Sequence, residues 1–434
     1  MSNDKPQGVY ASYFASIVGE ENAVCLWENI ELGQQKRIQQ AIASGHPPSC
    51  IVYPRSQQQL AAVIATAHTN NWRVLPCGNS SKLNWGGLVQ GIDVVVSTER
   101  INQLIEHAVG DLTITVEAGM KFSDLQALLA KSRQFLALDP TAPELATIGG
   151  IVATGDTGSL RQRYGSVRDQ LLGITFVRAD GQIAKAGGRV VKNVAGYDLM
   201  KLFTGSYGTL GFISQLTFRL YPLAEASETV VLTGTAEAVS QAADILRGSA
   251  LTPVQADLLS TKLVSSLGLG EGLGLIARFQ SISESVKEQS NRVLEVGQKL
   301  GLDGAIYVDD DEASLWQRLQ ERIHYTATES VITCKIGVLP TAAVEILTHV
   351  ELGLIHIGSG LGLLQLEGKN QVLKVRDRTQ AHRGFLTILE APVAVKEQID
   401  VWGYTGNALP LMRRIKEQFD SKNILSPGRF VGGI

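Results

Sequence analysis

Residues 189–211 read RVVKNVAGYDLMKLFTGSYGTLG, which is an unusual stretch for a folded chain. It holds four glycines and two tyrosines among apolar residues, with a single carboxylate, and it runs directly into the strand-like FISQLTFRL of residues 212–220. Glycine lets a backbone approach another group closely, because it has no Cβ. The stretch therefore predicts a segment whose bare backbone lies against something large.

Glycine is also concentrated in two earlier clusters. The chain has 44 glycines in 434 residues, about a tenth, against a usual share of roughly 7%. The clusters are PCGNSSKLNWGG at residues 76–87 and TIGGIVATGDTG at residues 147–158, and no fixed-period repeat connects them. A helix pattern that starts after Ser56 and a strand pattern, RVLP, place the first cluster directly after a strand.

Composition excludes several classes of protein. With 39 basic and 42 acidic residues, the chain has no overall positive field that would favour nucleic acid or an anionic membrane. No apolar run reaches the roughly 20 residues of a spanning helix, and residues 1–20 lack the pattern of a secretory signal. We therefore expect a cytoplasmic protein without direct membrane insertion, and association with a membrane through partner subunits stays open.

The cysteines give no redox or metal site. Cys25, Cys50, Cys77 and Cys334 are scattered, with no CxxC pair and no close Cys/His spacing. This spacing predicts neither a zinc ribbon nor an iron–sulfur cluster. Any redox centre must therefore be a bound group.

The character of the chain changes after residue 222. Before it, helix and strand patterns mix around the glycine clusters; after it, strand-like and helix-like pieces alternate, which predicts a sheet with one face covered by helices. We predict a helical N-terminal segment (1–47), a first domain (48–224), a second domain of α/β type (225–405), and a C-terminal helix with a closing segment (406–434).

Two glycine-rich motifs are candidates for nucleotide binding, and the first matches a known binding pattern better than the second. GNSSK at residues 78–82 is typical of a phosphate cradle, although it lacks the GK[ST] ending of a Walker loop. An ordinary turn is the alternative for this segment taken alone. GSGLG at residues 358–362 begins like a dinucleotide fingerprint, but Leu363 stands at the sixth position and the following LLQLEG reads as a strand. We interpret it as a turn.

Taken together, the three glycine clusters resemble the FAD-binding domain of the vanillyl-alcohol oxidase and p-cresol methylhydroxylase (PCMH) superfamily. The resemblance covers residues 48–223 and is strengthened by NILSPGRF at residues 423–430, which is similar to the closing motif of that family. It implies an α+β fold: a PCMH-type FAD-binding domain of two α+β subdomains, then an α/β cap domain, with the C-terminal segment returning to the FAD domain.

The stretch quoted first is similar to a narrower branch, the E subunit of bacterial glycolate oxidase (glycolate dehydrogenase). Relatives in the D-lactate dehydrogenase and glycolate D-subunit branch usually have GSEGTLG, whereas this chain has Tyr207 in GSYGTLG. KNVAGYDL before it points the same way. The resemblance implies FAD-dependent oxidation of a small 2-hydroxy acid.

The resemblance also implies the residues that contact FAD. It assigns a loop around the pyrophosphate, a segment along the flavin, and two segments that complete the cradle: Pro76, Cys77, Gly78, Asn79, Ser80, Ser81, Lys82, Trp85, Gly86; Pro140, Thr147, Ile148, Gly149, Gly150, Ala153, Gly155, Ser159; Tyr164, Gly165, Val167, Arg168; and Gly211, Ile213. Relatives with a histidyl flavin link often place the histidine in the pyrophosphate loop. Residues 76–87 contain no histidine, so we expect noncovalent FAD.

The catalytic residues are not identified by the sequence. Oxidising a 2-hydroxy acid requires a base for the hydroxyl proton and a cation for the carboxylate. Relatives carry a metal-binding motif like HxGDGNxH, but HIGSGLGL at residues 356–363 has Ser359 and Leu363 in place of the aspartate and the second histidine. We expect no metal and a structural role for His356. Arg376, Arg378, His382 and Arg383 could hold an anion, although charged connecting segments are usually solvated.

Two functions therefore compete. The first is the FAD-binding subunit of a glycolate-oxidising complex, which oxidises the hydroxy acid or relays its electrons between a catalytic flavoprotein subunit and an iron–sulfur subunit. The alternative is a free-standing FAD-dependent dehydrogenase for D-lactate or another 2-hydroxy acid. A scaffold that has lost its cofactor is a third possibility, which the intact glycine loops disfavour.

Overall fold

The computed structural model describes residues 8–19, 22–188, 196–324 and 330–434. Residues 189–195, the first part of the stretch quoted above, lie outside the described residues.

The first subdomain is built on a four-stranded sheet in the order β1-β2-β4-β3, in which β2, β4 and β3 are parallel. Its helix α3 begins as predicted, because the Ser56 hydroxyl accepts a hydrogen bond from Gln59 N, and its apolar face is fully buried. The elements are α1 Gly8–Val18, β1 Val24–Leu26, α2 Leu32–Gln39, β2 Cys50–Val52, α3 Gln57–Asn70, β3 Val74–Cys77 and β4 Val94–Ser97.

The second subdomain has a five-stranded antiparallel sheet in the order β5-β6-β10-β8-β9, and α5 packs against β10. A short pairing of β7 with β11 closes one side. The elements are β5 Leu104–Ala108, β6 Thr113–Glu117, α4 Phe122–Ala130, β7 Gln134–Phe135, α5 Ile148–Thr154, α6 Arg161–Tyr164, α7 Val167–Gln170, β8 Leu171–Val177, β9 Ile183–Gly187, α8 Leu199–Phe203, β10 Phe212–Arg219 and β11 Tyr221–Pro222.

The cap is one eight-stranded sheet in the order β15-β12-β14-β13-β17-β18-β16-β19. Although helices and strands alternate along the chain, each strand pair in this sheet is antiparallel. The elements are β12 Ala226–Gly234, α9 Ala236–Gly248, β13 Gln255–Leu259, α10 Thr261–Ser266, β14 Leu273–Ser281, α11 Ser283–Lys299, β15 Asp303–Val308, α12 Asp309–His324, β16 Val331–Gly337, α13 Ala343–Leu347, β17 Leu352–His356, β18 Leu361–Glu367, α14 Gly368–Ala381, β19 Phe385–Glu390 and α15 Val393–Lys396.

Both faces of the cap sheet are covered, which corrects the prediction of one covered face. Helices α9, α11, α13 and α14 bury one face, and α10 and α12 bury the other. Strand β12 shows why: Val230 and Leu232 belong to the first core, whereas Val231 between them belongs to the second. A strand with apolar residues on successive positions needs cover on both sides.

The C-terminal segment returns to the first subdomain, as predicted. After α16 (Leu409–Phe419), Val74 N donates to Ile424 O at 2.7 Å and Ser426 N donates to Val74 O at 3.0 Å, so the chain runs beside β3. The buried Lys416 ammonium donates to Thr209 O and Leu425 O, both at 2.9 Å. The closing motif therefore borders the first glycine cluster.

Candidate functional site

A cavity lies where the two subdomains meet. Thirteen of the predicted FAD contacts line it, and they come from the loop after β3, from α5 with its N-cap, and from the start of β10: Pro76, Cys77, Gly78, Asn79, Ser80, Ser81, Lys82, Thr147, Gly149, Gly150, Ala153, Gly211 and Ile213. We call this cavity the cradle. Three segments that are distant in sequence thus converge on one site.

The loop from Gly78 to Lys82 presents backbone donors to the cradle. Among the hydrogen bonds between described residues, none uses the backbone N–H of these five residues as donor. Ser80 adopts a left-handed conformation with φ of 60°, and such a reversal lets successive N–H groups converge on one anion. The loop is therefore suited to a pyrophosphate.

The two adjacent glycines of helix α5 have different surroundings. Gly149 packs on β6, because its N–H donates to Ala118 O at 2.8 Å and an added Cβ would lie 2.8 Å from Ala118 Cβ. A Cβ on Gly150 would meet only one described atom within 4 Å, Thr147 Oγ1 at 3.1 Å. Gly150 therefore leaves free space in the cradle, of the kind that a flat ligand fills.

Two buried cations hold the far end of the loop. Arg429 from the closing motif donates through Nη2 to Leu83 O at 2.7 Å and to Trp85 O at 2.9 Å. Lys396 from the cap donates to Asn84 O, to Gly86 O at 3.0 Å and to Leu389 O. Desolvation lowers the pKa of Lys396 to about 7 and that of Arg429 to about 10. The loop is thus fixed by groups outside its own sequence.

A second cavity adjoins the cradle. Thr154 and Tyr207 line both cavities, and Trp85 and Ser159, two of the predicted FAD contacts, line the second one. Its remaining wall comes from residues 139–158 and from the cap strands and α12. We call it the outer cavity. It lies between the FAD-binding domain and the cap.

The outer cavity contains several ionisable groups. At its border with the cradle, Lys82 Nζ, which lines the cradle, lies 3.1 Å from Oδ2 of Asp156, which lines the outer cavity, and both side chains are buried. Burial raises the pKa of Asp139 to about 7 and lowers that of His324 to about 4, so the imidazole is neutral near pH 7. Burial also lowers the pKa of Lys335, and none of the hydrogen bonds or ion pairs between described residues involves its Nζ. The cavity thus offers an unpaired amine.

His356 forms a buried pair with a carboxylate. Its Nδ1 lies 2.5 Å from Asp257 Oδ1, and the Ser159 hydroxyl donates to Asp257 Oδ2. Asp257 is fully buried and His356 is 6% exposed. The sequence around residue 356 does not indicate this pair, because Asp257 lies about a hundred residues earlier, on a neighbouring strand of the sheet.

The other predicted contacts line neither cavity. They support the site from outside or lie beyond it: Gly86, Pro140, Ile148, Gly155, Tyr164, Gly165, Val167 and Arg168. Ile148 belongs to the core of the second subdomain, Tyr164 stacks on Tyr221, and the Arg168 side chain is largely exposed. All the predicted FAD contacts, including those that line the two cavities, remain predictions from the resemblance.

Several lining residues were not predicted. Tyr207, Gly208 and Arg429 line the cradle, and they lie inside motifs that the sequence already displays, GSYGTLG and NILSPGRF. No sequence motif marks Lys335, His324 or Asp257, because each lies on an element of the cap that only the tertiary fold brings to the site. The charged segment around Arg376 is not a connecting loop but helix α14, where the Arg376 guanidinium donates to three backbone carbonyls.

No cluster of His, Cys, Asp and Glu suited to a metal ion occurs in the part of the chain that the structure describes. Leu363, at the position of the second histidine of the relatives' motif, lines the outer cavity instead. Within the described ranges, no helix has the length and apolar content needed to cross a membrane.

Comparison with known proteins identifies the domain. Residues 48–187 match the family model for an FAD binding domain. The whole structure is similar to p-cresol methylhydroxylase with substrate bound, with a TM-score of 0.75 at 15% identity over 97% of this chain and 96% of that one. The chain contains an FAD binding domain and has the fold of p-cresol methylhydroxylase. FAD is its cofactor, and the free donors of the loop and the space beside Gly150 fit that group.

Two relatives that match most of this chain have informative names. A probable mitochondrial D-lactate dehydrogenase of Danio rerio is 26% identical, over 96% of this chain and 90% of the relative. Glycolate oxidase subunit GlcD of Bacillus subtilis is 23% identical, over 88% of each chain.

Proposed function

We propose that the chain is an FAD-dependent oxidoreductase that acts on the CH–OH group of a small 2-hydroxy acid. The observation that carries the proposal is the outer cavity, which adjoins the cradle and contains the unpaired Lys335 amine. A cation in a cavity shielded from water is suited to a carboxylate, and charge-assisted hydrogen bonds are the stronger ones. The names of the two relatives support the same class of substrate.

Each part of the outer cavity has a task in this reaction. Lys335 in its protonated form would hold the carboxylate, while the apolar side chains of Trp316, Leu354 and Leu363 limit the size of the acid and exclude water. FAD, when bound, supplies the acceptor for the two electrons of the CH–OH group. Tyr207 lies between the two cavities and so borders both cofactor and substrate.

The finer assignment is glycolate, oxidised to glyoxylate within a complex. It is supported by the GSYGTLG motif and by the GlcD relative. The scattered cysteines supply no iron–sulfur ligands, so electrons would pass to a separate iron–sulfur subunit, alongside a second flavoprotein subunit. In this assignment FAD is held noncovalently and any membrane association is through the partners.

The test is anaerobic reduction of the FAD-loaded chain by glycolate, D-lactate or D-2-hydroxyglutarate, followed by absorbance of the flavin. Lys335→Met should raise the acid concentration needed for half-maximal reduction by about 10-fold to 100-fold, since a hydrogen bond to a charged group contributes roughly 1.5 to 3 kcal/mol. Lys335→Arg keeps the charge and should lose less. An unchanged concentration dependence in Lys335→Met would remove Lys335 from the site, whereas failure of all three acids to reduce the wild-type flavin would refute the function.

The alternative is a free-standing D-lactate dehydrogenase, favoured by a relative of that name which matches almost the whole chain. Steady-state assays with an artificial electron acceptor separate the two. A subunit of a glycolate complex should turn over slowly alone and faster with its partner subunits present. Full activity of the isolated chain, with D-lactate preferred over glycolate, would establish the alternative.

A further inference from the structure

The Asp257–His356 pair is built into the cap sheet at the edge of the outer cavity. Asp257 on β13 and His356 at the end of β17 are directly opposed residues of an antiparallel pair. The Asp257 carboxylate accepts from His356 Nδ1 on one oxygen and from the Ser159 hydroxyl on the other. A buried carboxylate with both oxygens engaged fixes the imidazole in one orientation and one tautomer.

That arrangement leaves Nε2 of His356 available. His356 lines the outer cavity, and no hydrogen bond within the described ranges involves its Nε2. With Nδ1–H donated to Asp257, Nε2 carries the lone pair that can accept a proton. Ser159 comes from the FAD-binding domain, so the pair is also held from the side of the cradle.

The other candidate bases of the cavity have their acceptor atoms occupied. Asp139 accepts backbone N–H bonds on both oxygens, from Gly158 at 3.0 Å and Leu160 at 2.9 Å. Asp156 is paired with Lys82 and also accepts from Thr141 N at 2.8 Å.

His324 is a weak base, because burial lowers its pKa to about 4, and its Nδ1 lies 3.3 Å from Thr141 Oγ1. A general base works best when its affinity for protons is near the operating pH. Among the described groups of the cavity, His356 is therefore the base that has a nitrogen, Nε2, without a hydrogen-bond partner and a carboxylate, Asp257, bound to its other nitrogen.

We propose that His356 is the catalytic base that takes the hydroxyl proton of the substrate, with Asp257 as its positioning residue. The inference rests on the proposed function. The O–H bond breaks as Nε2 takes the proton, the C–H bond breaks as its hydrogen leaves with two electrons to the oxidised FAD, and the C–O bond becomes a carbonyl. The 2-hydroxy acid becomes a 2-oxo acid, and no further oxidant is required.

The first test compares His356→Gln with wild type and with His46→Gln, a control at an exposed histidine. FAD content should be equal in all three. Flavin reduction by the best acid in rapid mixing should fall about 100-fold to 10,000-fold in His356→Gln, the usual contribution of a general base. Half-saturation by the acid should change little. Reduction of His356→Gln at the wild-type rate would overturn the assignment while leaving the function intact.

The second test separates catalysis from a merely structural ion pair by comparing the rate of flavin reduction with substrate binding. Asp257→Asn removes the carboxylate that holds Nδ1–H of His356, so flavin reduction at saturating acid should slow, whereas half-saturation by the acid and the FAD content should change little.

The hydrogen bond itself should be visible by NMR, which does not depend on turnover, because the Nδ1 proton held by Asp257 should give a downfield signal in wild type that is lost in Asp257→Asn. An unchanged reduction rate together with an unchanged NMR signal in Asp257→Asn would overturn the positioning role. If no acid reduces the wild-type flavin, the proposed function fails and the base assignment fails with it.

Discussion

Gly150→Ala tests the position of the flavin, because Gly149→Ala provides a matched control one residue away. In the free protein an alanine at position 150 has only Thr147 Oγ1 nearby, at 3.1 Å, and it lies inside a helix. Alanine is better than glycine there by about 0.5 to 1 kcal/mol, so the unliganded fold should be at least as stable. With FAD bound, the methyl group would occupy ligand space, and overpacking costs about 1 to 3 kcal/mol.

The expected result is FAD binding that is about fivefold to a hundredfold weaker, since about 1.4 kcal/mol is a factor of ten. Gly149→Ala should instead destabilise the unliganded fold, because its Cβ would lie 2.8 Å from Ala118 Cβ and 3.0 Å from Ala118 O. That variant should lose about 1 to 3 kcal/mol of stability without FAD.

FAD titration, followed by quenching of flavin fluorescence, and urea unfolding of the unliganded chain measure the two quantities. A Gly150→Ala variant that binds FAD as tightly as wild type would show that the flavin lies elsewhere.

Three further outcomes are expected. As pH falls from 6.5 to 4, His324 should lower the free energy of unfolding of the unliganded chain by up to about 3 kcal/mol, because the histidine takes up a proton in the unfolded chain and not in the buried site. Urea unfolding should show no such loss in His324→Gln. An equal loss in that variant would contradict the lowered pKa of His324. Arg429→Met should weaken FAD binding and lower thermal stability, because the carbonyls of Leu83 and Trp85 lose their hydrogen-bond donor, at a cost of about 1 to 3 kcal/mol each. An unaltered FAD dissociation constant would show that Arg429 does not hold the loop for FAD. Denaturation in acid should release all FAD into the supernatant, and colour that stays with the precipitate would reveal a covalent link.

The cradle could be predicted from sequence because glycine clusters carry local geometric requirements. Gly78 illustrates this, since a Cβ there would lie 2.2 Å from Thr147 Oγ1, an atom of the next cluster. Such close approaches restrict the residue type at each position, so the cluster as a whole is recognisable. The same reasoning explains the return of NILSPGRF to β3, where Leu425 pairs with Val74.

The outer cavity could not be predicted, because its residues are ordinary types on regular elements. Lys335 stands on a strand and His324 at the end of a helix, and their neighbours in sequence are far from the site. Asp257 and His356 become partners only through the register of β13 and β17. Asp-Gly, which stands at residues 180–181, is the usual sequence of a type I′ hairpin turn, and that turn needs left-handed backbone at both central residues. In the hairpin of β8 and β9 only Gly181 has it, with φ of 85°.

The central claim is that a small 2-hydroxy acid is oxidised by FAD held in this chain. The most direct measurement is a single anaerobic turnover of the FAD-loaded chain with glycolate, in which bleaching of the flavin and formation of the 2-oxo acid are quantified together. Complete bleaching is expected, with one glyoxylate formed per flavin. A flavin that stays oxidised with glycolate, D-lactate and D-2-hydroxyglutarate, although dithionite reduces it, would contradict this function.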